Sequence, residues 1–502
     1  MNTIRQNTIA NFFGRVLGVV SVYLFIPFYL KFLGIEAYGL VGFYSTLIGV
    51  LAFADLGLTA TLSREMARLS VLENSADEMA NLLRTYETIY LYISLAVSLL
   101  IWLFAPLIAG RWLRASALTP SAMTSAIRLM GIAISLQLPA GLYAGGLMGL
   151  QKQVLSNALQ IAWGGLRGLG TILILWLYSQ TIFAFAFCQL CSNLAYCFAV
   201  RWTLRRTLPS TKSKPHFSRL ALRHTWKYAM SMAGTTFLST ILMQTDKLVI
   251  SKILPLEMFG YYTLAGSLAQ VPIILAAPIG VAMFPRLTGL VSLSDKDTLT
   301  RIYHKACGLV SVAVIPAALT LALNKGDFIF AWTGSVVATQ KAGLVASLLL
   351  GGQIMQALTV VPFYLALAYG HTKLILQVQI ISIIFITPLL VFLIINYGIV
   401  GGGLSWLIMN LCTIPFYMYF LHRRFLYGEF WRWLLQDIGR PLLVTIFVIV
   451  LGRSFLPSAG SRLMTFGLLG LVWSISAAAA SFTIPVVRKE IFQKTRKLFG
   501  VS

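Results

Sequence analysis

The chain has 502 residues, of which 58% are apolar and only 11% are Asp, Glu, Lys or Arg. Soluble proteins contain about 45–50% apolar and about 25% charged residues, whereas the mean hydropathy of this chain is +0.82. This composition excludes a soluble domain and predicts a membrane protein. Five cysteines are too sparse, and odd in number, for a secreted disulfide scaffold.

Apolar runs along the chain predict fourteen transmembrane helices. A bilayer core of about 30 Å needs roughly 20 apolar helical residues. Runs of suitable length lie near 12–33, 40–62, 86–109, 127–149, 154–178, 181–203, 228–251, 259–285, 303–323, 342–366, 374–396, 399–421, 441–457 and 463–486. The predicted fold class is therefore an all-α integral membrane protein.

The net charge of +24 comes from 39 basic and 15 acidic residues, and the basic residues are concentrated in short segments between the apolar runs. Alternate segments carry most of them, with the highest density in 201–227 and in the C-terminal tail. The positive-inside rule then predicts that both termini are cytoplasmic. Orientation and attraction to anionic lipid account for the charge, so nucleic acid is not an expected partner.

An internal repeat relates two stretches of twenty residues. Shifted by 221 positions, KFLGIEAYGLVGFYSTLIGV at 31–50 aligns without gaps with KILPLEMFGYYTLAGSLAQV at 252–271, with six identities that include Glu36/Glu257 and Gly39/Gly260. A parallel repeat predicts two six-helix lobes around a central cavity, which is a transporter architecture. The alternative is that apolar helices with an E-x-x-G link resemble each other by composition.

The repeat also predicts the domain organisation. It gives an N-terminal lobe at 1–205 with helices 1–6, a cytoplasmic inter-lobe loop at 206–225, a C-terminal lobe at 226–425 with helices 7–12, and two extra helices with a basic cytoplasmic tail at 426–502.

Several charged residues fall inside predicted spans, where each costs about 3 kcal/mol to insert. The candidates are Arg15, Asp55, Arg128, Arg167, Asp246 and Lys247. Four of the six are basic, which favours an anionic substrate, because arginine binds phosphate with two parallel hydrogen bonds and lysine adds a point charge. The two aspartates are candidates for ion coupling or for holding an arginine in place.

Anchoring at the membrane interface is an alternative explanation for some of these charges. Arg15 is close enough to a predicted helix end to reach the headgroups, and Arg128 could anchor its helix at the interface. Glu87 and Arg64 lie nearer a predicted cytoplasmic edge, where snorkelling explains them.

The sequence offers no signature of an enzyme. It has no Walker motif and no nucleophile elbow. The five histidines lack metal-ligand spacing, and Cys188 and Cys191 lie in an apolar span, where packing explains them. We therefore expect no catalytic residues, no metal and no cofactor.

Three elements near the N-terminus resemble the O-antigen flippases of the multidrug/oligosaccharidyl-lipid/polysaccharide exporter superfamily. They are F-x-x-R ending at Arg15, the link FLGIEAYGL before the second span, and ADLGL around Asp55. In the second half, QTDK at 244–247 followed by FGYYTLAGSLAQVP is similar to the same family's entry to its eighth span.

The resemblance implies translocation of an undecaprenyl-diphosphate-linked oligosaccharide, an O-antigen or similar repeat unit, across the bacterial inner membrane by alternating access. Such a protein serves lipopolysaccharide biosynthesis and polysaccharide export. It implies that Arg15, Arg128, Arg167 and Lys247 contact the diphosphate or acidic sugars. Candidate partners are membrane lipid, H+ or Na+ as a coupling ion, and other glycan-assembly membrane proteins.

Two related classes and one different class are the alternatives. FFGRVLG is also similar to the first helix of the lipid II flippases, which carry two extra C-terminal helices, but the further basic residues of that helix are absent here. Cation-coupled multidrug antiporters typically carry organic cations, which a mostly basic set disfavours. A glycan polymerase or ligase would need a large external loop, and none is predicted.

Overall fold

The computed structural model describes residues 2–73, 75–211, 213–371, 373–455 and 461–484. Side chains are described from residue 23 onward, apart from 220–229, 231–233, 235, 373–376, 454 and 455 within those ranges. Arg15 and the basic tail after residue 484, both singled out by the sequence, therefore lie outside the described side chains.

The described chain consists of helices joined by short loops. The α-helices are α1 (Asn2–Leu51), α2 (Leu58–Leu69), α3 (Ala76–Leu107), α4 (Pro120–Gly149), α5 (Gln153–Leu177), α6 (Ile182–Thr207), α7 (Arg219–Ile253), α8 (Leu256–Ala269), α9 (Val271–Ser292), α10 (Lys296–Leu323), α11 (Lys325–Thr333), α12 (Val336–Leu358), α13 (Val360–Ala368), α14 (Lys373–Phe425), α15 (Phe430–Arg432), α16 (Arg440–Phe455) and α17 (Arg462–Thr483). A 3-10 turn covers Ala52–Asp55, and π-helical turns cover Ile108–Trp112 and Trp433–Gly439.

The described helices agree with the predicted membrane architecture. Eleven segments of the described chain are long and apolar enough to cross a membrane. Two of them, Tyr23–Asp55 and Gln377–Phe425, each hold two helices that meet at a glycine with non-helical backbone angles, Gly34 and Gly398. Together with α7, a helix of 35 residues, these elements confirm the predicted all-α class and the fourteen helices.

Local sequence signals explain where several helices begin. A hydroxyl or carboxylate just before the first turn accepts a backbone N–H that would otherwise lack a partner. The residues that do this are Thr119 for α4, Thr181 for α6, Asp295 for α10, Ser335 for α12 and Ser461 for α17. Short polar residues at these positions thus set the start of long apolar helices.

The chain forms two compact units, Met1–Gly260 and Tyr261–Ser502. In the first unit, α3, α4 and α6 pack together around buried residues such as Tyr86, Tyr90 and Tyr143. Apolar side chains gain little from leaving lipid for protein, so close van der Waals packing must hold such helices together. Close packing therefore contributes more to the stability of this core than its apolar composition does.

Small residues on α4 provide that fit. A Cβ atom at Gly149 would collide with the Ser63 carbonyl oxygen, and one at Gly145 would lie 2.7 Å from Thr59 Cγ2. The small-residue face of α4 therefore lies directly against α2. The spacing Gly141/Gly145/Gly149 predicts such packing, and the last two glycines confirm it.

In the second unit, α9, α10, α12, α13 and α14 enclose a core that includes Tyr303, Leu350 and Met418. The final helices α16 and α17 pack against each other and against α10. The two helices beyond the predicted C-terminal lobe are therefore part of this unit's packing.

The repeated segments contact each other reciprocally within Met1–Gly260. A Cβ on Gly39 would collide with the carbonyl oxygen of Leu256, and one on Gly260 would collide with the carbonyl oxygen of Ile35. Gly39 aligns with Gly260 in the repeat, and Ile35 aligns with Leu256. A contact in which equivalent residues exchange roles is the signature of two-fold symmetry, and it explains why both copies keep the glycine.

Candidate substrate-binding site

The second span is broken where ADLGL occurs. Helix α1 ends at Leu51, and after the 3-10 turn Leu56 and Gly57 take left-handed backbone angles, with φ of 49° and 70°. Glycine adopts such angles without steric cost, so Gly57 allows the break before α2. The eighth span, its counterpart in the repeat, also divides into α8 and α9 at Gln270, but there the backbone angles stay helical, with φ of −75° and ψ of −17°. The second span therefore has the sharper break, and interrupted spans are typical of transporter binding sites.

Asp55 lies at this break, half-buried, and its carboxylate is solvated by hydroxyls. The Thr59 and Tyr90 hydroxyls both donate to Oδ1 of Asp55, and the two hydroxyl oxygens lie 3.0 Å apart. In the part of the chain that the structure describes, no cation pairs with Asp55. The two hydroxyls therefore orient the Asp55 side chain at the end of the second span.

A cavity of about 460 Å³ opens beside the break, between the end of the second span and α7. It is lined by Gly49, Ala52, Thr236, Ser239, Thr240, Met243 and Gln244. Hydroxyl and amide groups dominate the polar part of this lining, which suits a sugar-bearing ligand. A Cβ at Gly49 would overlap with the end of the Gln244 side chain, which would have to shift to make room for it.

Lys247 lies next to the cavity. Its Nζ donates to Oε1 of Gln244 at 3.1 Å and lies 3.5 Å from the carbonyl oxygen of Met243. Lys247 is therefore connected to the cavity wall through Gln244. Asp246 lies half-buried on the same helix.

Arg167 is held by aromatic and amide side chains inside the first unit. Its guanidinium carbon lies 4.6 Å from the Trp163 ring centre, and Trp163 in turn stacks on Tyr196 at 4.6 Å. Trp163 also donates to Asn193, whose amide bonds the Ala133 carbonyl oxygen. This network fixes the aromatic face under the guanidinium.

Within the described residues, the Arg167 guanidinium has no acidic partner. The glycines beside it predict free space. Among the described side chains, none lies within 4 Å of a Cβ placed on Gly164 or Gly165, whereas a Cβ on Gly168 would overlap with the Phe25 ring of α1. Helix α1 therefore packs directly beside Arg167.

Arg128 makes a cation–π contact with another tryptophan. Its guanidinium carbon lies 4.8 Å from the Trp102 ring centre, and its buried Nε has no hydrogen-bond partner among the described residues. No contact joins Arg128, Arg167 and Lys247, each of which has its own partner. Their predicted role in one cationic cavity stays a prediction, as does that of Arg15.

The first cluster that the sequence interpretation missed is centred on Glu87. Snorkelling does not explain Glu87, because its side chain is only 5% exposed. Arg201 Nε donates to Oε1 at 2.9 Å, Arg205 Nη2 donates to Oε2 at 2.8 Å, and Tyr143 donates to Oε1 at 3.1 Å. The interpretation was wrong because the arginines come from α6, more than 100 residues along the chain.

A second missed cluster surrounds His304 on α10. Nδ1 of His304 lies 2.5 Å from Oδ2 of Asp437, and Nε2 lies 3.0 Å from Oε2 of Glu429. Next to it, His422 Nε2 lies 3.0 Å from the Tyr303 hydroxyl. The two carboxylates bond opposite edges of one imidazole ring, so they tie α10 to the start of the thirteenth span and do not converge on a metal.

Solved structures with the same architecture are transporters. The chain is similar to the lipid II flippase MurJ in an inward closed conformation, with 17% identity, a TM-score of 0.68 and coverage of 94% of this chain and 98% of that chain. It is also similar to an inward-facing multidrug resistance MATE family transporter of the MOP superfamily, with 13% identity, a TM-score of 0.67 and coverage of 82% and 94%. These similarities show a MurJ- and MATE-like fold.

The family follows from the sequence match. Residues 4–291 match the family described as "Polysaccharide biosynthesis protein", and the chain belongs to that family. A relative from Shigella flexneri, named "Putative O-antigen transporter", is 23% identical over 416 residues that cover 80% of this chain and 94% of the relative. These findings confirm the resemblance to the polysaccharide-exporter superfamily. The relatives are named as transporters or flippases, in agreement with the expectation that the chain is not an enzyme.

Proposed function

We propose that this protein is a flippase for an undecaprenyl-diphosphate-linked oligosaccharide, an O-antigen or similar repeat unit, in the bacterial inner membrane. The name of the Shigella flexneri relative supports the substrate class, and the MurJ-like fold supports a lipid-linked cargo. Both termini are cytoplasmic in this proposal, and lobes at 1–205 and 226–425 alternate in access.

Arg167 carries the proposal. It is a half-buried cation on an aromatic platform, and it has no acidic partner in the described part of the first unit. A charge inside a span is costly unless it serves a partner or a ligand. An anionic diphosphate or acidic sugar supplies the missing counter-charge, and the guanidinium can hold it with two parallel hydrogen bonds.

The other candidates take complementary roles. Lys247 provides a second cation beside the hydroxyl-lined cavity, where Thr236, Ser239 and Thr240 can bond sugar hydroxyls. Arg15 and Arg128 extend the cationic surface. Asp55 and Asp246 bind H+ or Na+ as the coupling ion, with the Thr59 and Tyr90 hydroxyls orienting the Asp55 carboxylate.

The test is the sidedness of undecaprenyl-diphosphate-linked oligosaccharide in cells that lack the protein or carry Arg167→Gln. We expect accumulation on the cytoplasmic leaflet in both, with partial rescue by Arg167→Lys. The matched control is Arg206→Gln, since Arg206 also stacks on a tryptophan, Trp202, at 4.1 Å. Normal sidedness without the protein would refute the flippase, and raised sensitivity to cationic dyes would then favour a multidrug antiporter.

A further inference from the structure

The Glu87 cluster holds more positive charge than its single carboxylate can neutralise. Besides Arg201 and Arg205, Arg84 lies 3.6 Å from Glu87 through Nη1. Three guanidinium groups therefore surround one carboxylate. Glu87 is 5% exposed, whereas the side chains of Arg84, Arg201 and Arg205 are 51%, 41% and 49% exposed. The negative charge of Glu87 is therefore buried, and the excess positive charge lies on the half-exposed arginines.

The arginines also keep unused hydrogen-bond donors. A guanidinium has five N–H donors in a planar fork. Arg201 uses Nε and Arg205 uses Nη2 on Glu87, and the described part of the chain offers neither side chain another acceptor. Tyr143 donates to Glu87 as well, so three donors hold the carboxylate, which in turn fixes the two forks. The remaining donors belong to side chains that are 41% and 49% exposed.

The cluster lies near the ends of two helices. It joins the start of α3 to the end of α6, on the side that the positive-inside rule predicts to be cytoplasmic. The inter-lobe loop is fastened along the same stretch of α3. The backbone N–H groups of Ser213, His216 and Ser218 donate to the side chains of Asp77, Asn81 and Thr85, which follow each other at helical spacing. This arrangement adds the exposed Lys214 to the same end of the unit.

We infer that Arg84, Arg201 and Arg205 form a binding site for the phosphate group of a lipid at this end of the unit, with Glu87 as the residue that positions them. Phosphate offers several acceptor oxygens and one or two negative charges, which match the unused forks and the surplus charge. Basic pockets between helices at the cytoplasmic face are suited to anionic headgroups. Binding here needs no transport step, so the inference goes beyond the proposed function.

The phosphate can come from a polyprenyl diphosphate or from an anionic phospholipid of the surrounding membrane, and the test separates the two. The full-length protein, purified in a phosphate-free maltoside detergent, is titrated with undecaprenyl diphosphate, with phosphatidylglycerol and with undecaprenol, and bound lipid is counted by native mass spectrometry. We expect both phosphate lipids, or one of them, to bind at least about tenfold more tightly than undecaprenol, as charge-assisted hydrogen bonds predict.

Variants locate the site. Arg201→Gln/Arg205→Gln should weaken phosphate-lipid binding at least about tenfold. Arg84→Gln leaves in place the hydrogen bonds that Arg201 and Arg205 donate to Glu87 and so preserves the fold. We expect it to weaken phosphate-lipid binding about threefold or more. Arg206→Gln, which removes a cation from the same helix without touching Glu87, should change the affinity less than about twofold.

Preference for undecaprenyl diphosphate would identify the carrier lipid as the ligand, and equal binding of phosphatidylglycerol would identify the bulk lipid. Either result supports the site. Undecaprenol binding as tight as undecaprenyl diphosphate binding, or unchanged phosphate-lipid binding in both arginine variants, would overturn it. If binding behaves as expected while glycan sidedness is independent of the protein, the proposed function fails and the phosphate site stands.

Discussion

Glu87 and His304 lie on corresponding helices in the two halves of the chain, since α3 is the third span and α10 is the ninth. Each is buried, and each ties its helix to distant segments. Their immediate partners are of opposite kinds. Glu87 is one carboxylate among three arginines that are half-exposed. His304 is one imidazole between two carboxylates, Asp437, which is 9% exposed, and Glu429, which also pairs with Arg432 at 3.5 Å.

The difference shows that a buried ionisable side chain can serve either ligand binding or helix packing. Around Glu87, the long arginine side chains reach the surface with spare donors, so the cluster can accept a ligand. Around His304, both ring nitrogens are used by carboxylates within the described chain, and the cluster is closed. The His304 cluster therefore anchors the two extra C-terminal helices to α10, and four substitutions test this distinction.

The largest effect is expected for His304→Ala. It removes a buried ring and the hydrogen-bond partner of the buried Asp437 carboxyl group, while Glu429 keeps its contact with Arg432 at 3.5 Å. Loss of a large buried side chain together with a buried hydrogen bond costs about 2–5 kcal/mol. Chemical unfolding of the purified protein in detergent measures this loss. Arg301→Ala on the same helix is the control, because Arg301 is exposed and bonds only Thr298 in the described structure. A stability equal to the control would refute the anchor.

A smaller loss is expected for Glu87→Gln. The amide keeps the shape and can still accept from Arg201, and the half-exposed arginines can be hydrated. We expect about 1–3 kcal/mol, in the range for a hydrogen bond to a charged group. The same unfolding assay applies. A cost larger than that of His304→Ala would contradict the view that the Glu87 cluster is open to solvent and the His304 cluster is closed.

Removal of one neutral donor tests the cluster more gently. Tyr143→Phe deletes the hydroxyl that donates to Oε1 of Glu87 at 3.1 Å. A loss of about 1 kcal/mol is expected, because the two arginines still satisfy the carboxylate. Tyr178→Phe serves as the control, since Tyr178 is 89% exposed. Equal stabilities of the two variants would show that the Tyr143 bond contributes nothing.

The smallest effect is expected at an arginine–glutamate ion pair that is exposed to solvent. Arg68 pairs with Glu65 at 2.7 Å and with Glu78 at 3.3 Å, and Glu78 is 61% exposed. Exposed ion pairs contribute about 0–1 kcal/mol and are screened by salt. Glu78→Gln should therefore lower the free energy of unfolding by less than about 0.5 kcal/mol, with no measurable difference at high salt. A loss comparable to that of Glu87→Gln would show that burial does not determine how much each ion pair contributes to stability.

Much of the fold was predictable because hydropathy and helix length are local properties. The fourteen apolar runs locate the helices, although α3 begins ten residues and α7 nine residues before the predicted run, and the run at 40–62 crosses the break after Leu51. The repeat at 31–50 and 252–271 contains Gly39 and Gly260, the two glycines of the reciprocal contact. Single intramembrane charges were also visible, since each is an exception to its own surroundings. Their partners were not, as the tryptophans under Arg128 and Arg167 show.

The sequence by itself determined the membrane class, the number of spans, the internal repeat and the motifs of the polysaccharide-exporter superfamily, because each depends on residues close together in the chain. Tertiary structure alone decided which charges are satisfied. Glu87 meets Arg201 and Arg205 only when α3 and α6 both pack against α4, and His304 meets Asp437 across more than 100 residues. A buried charge is defined by its neighbours in space, and helix packing brings those neighbours together.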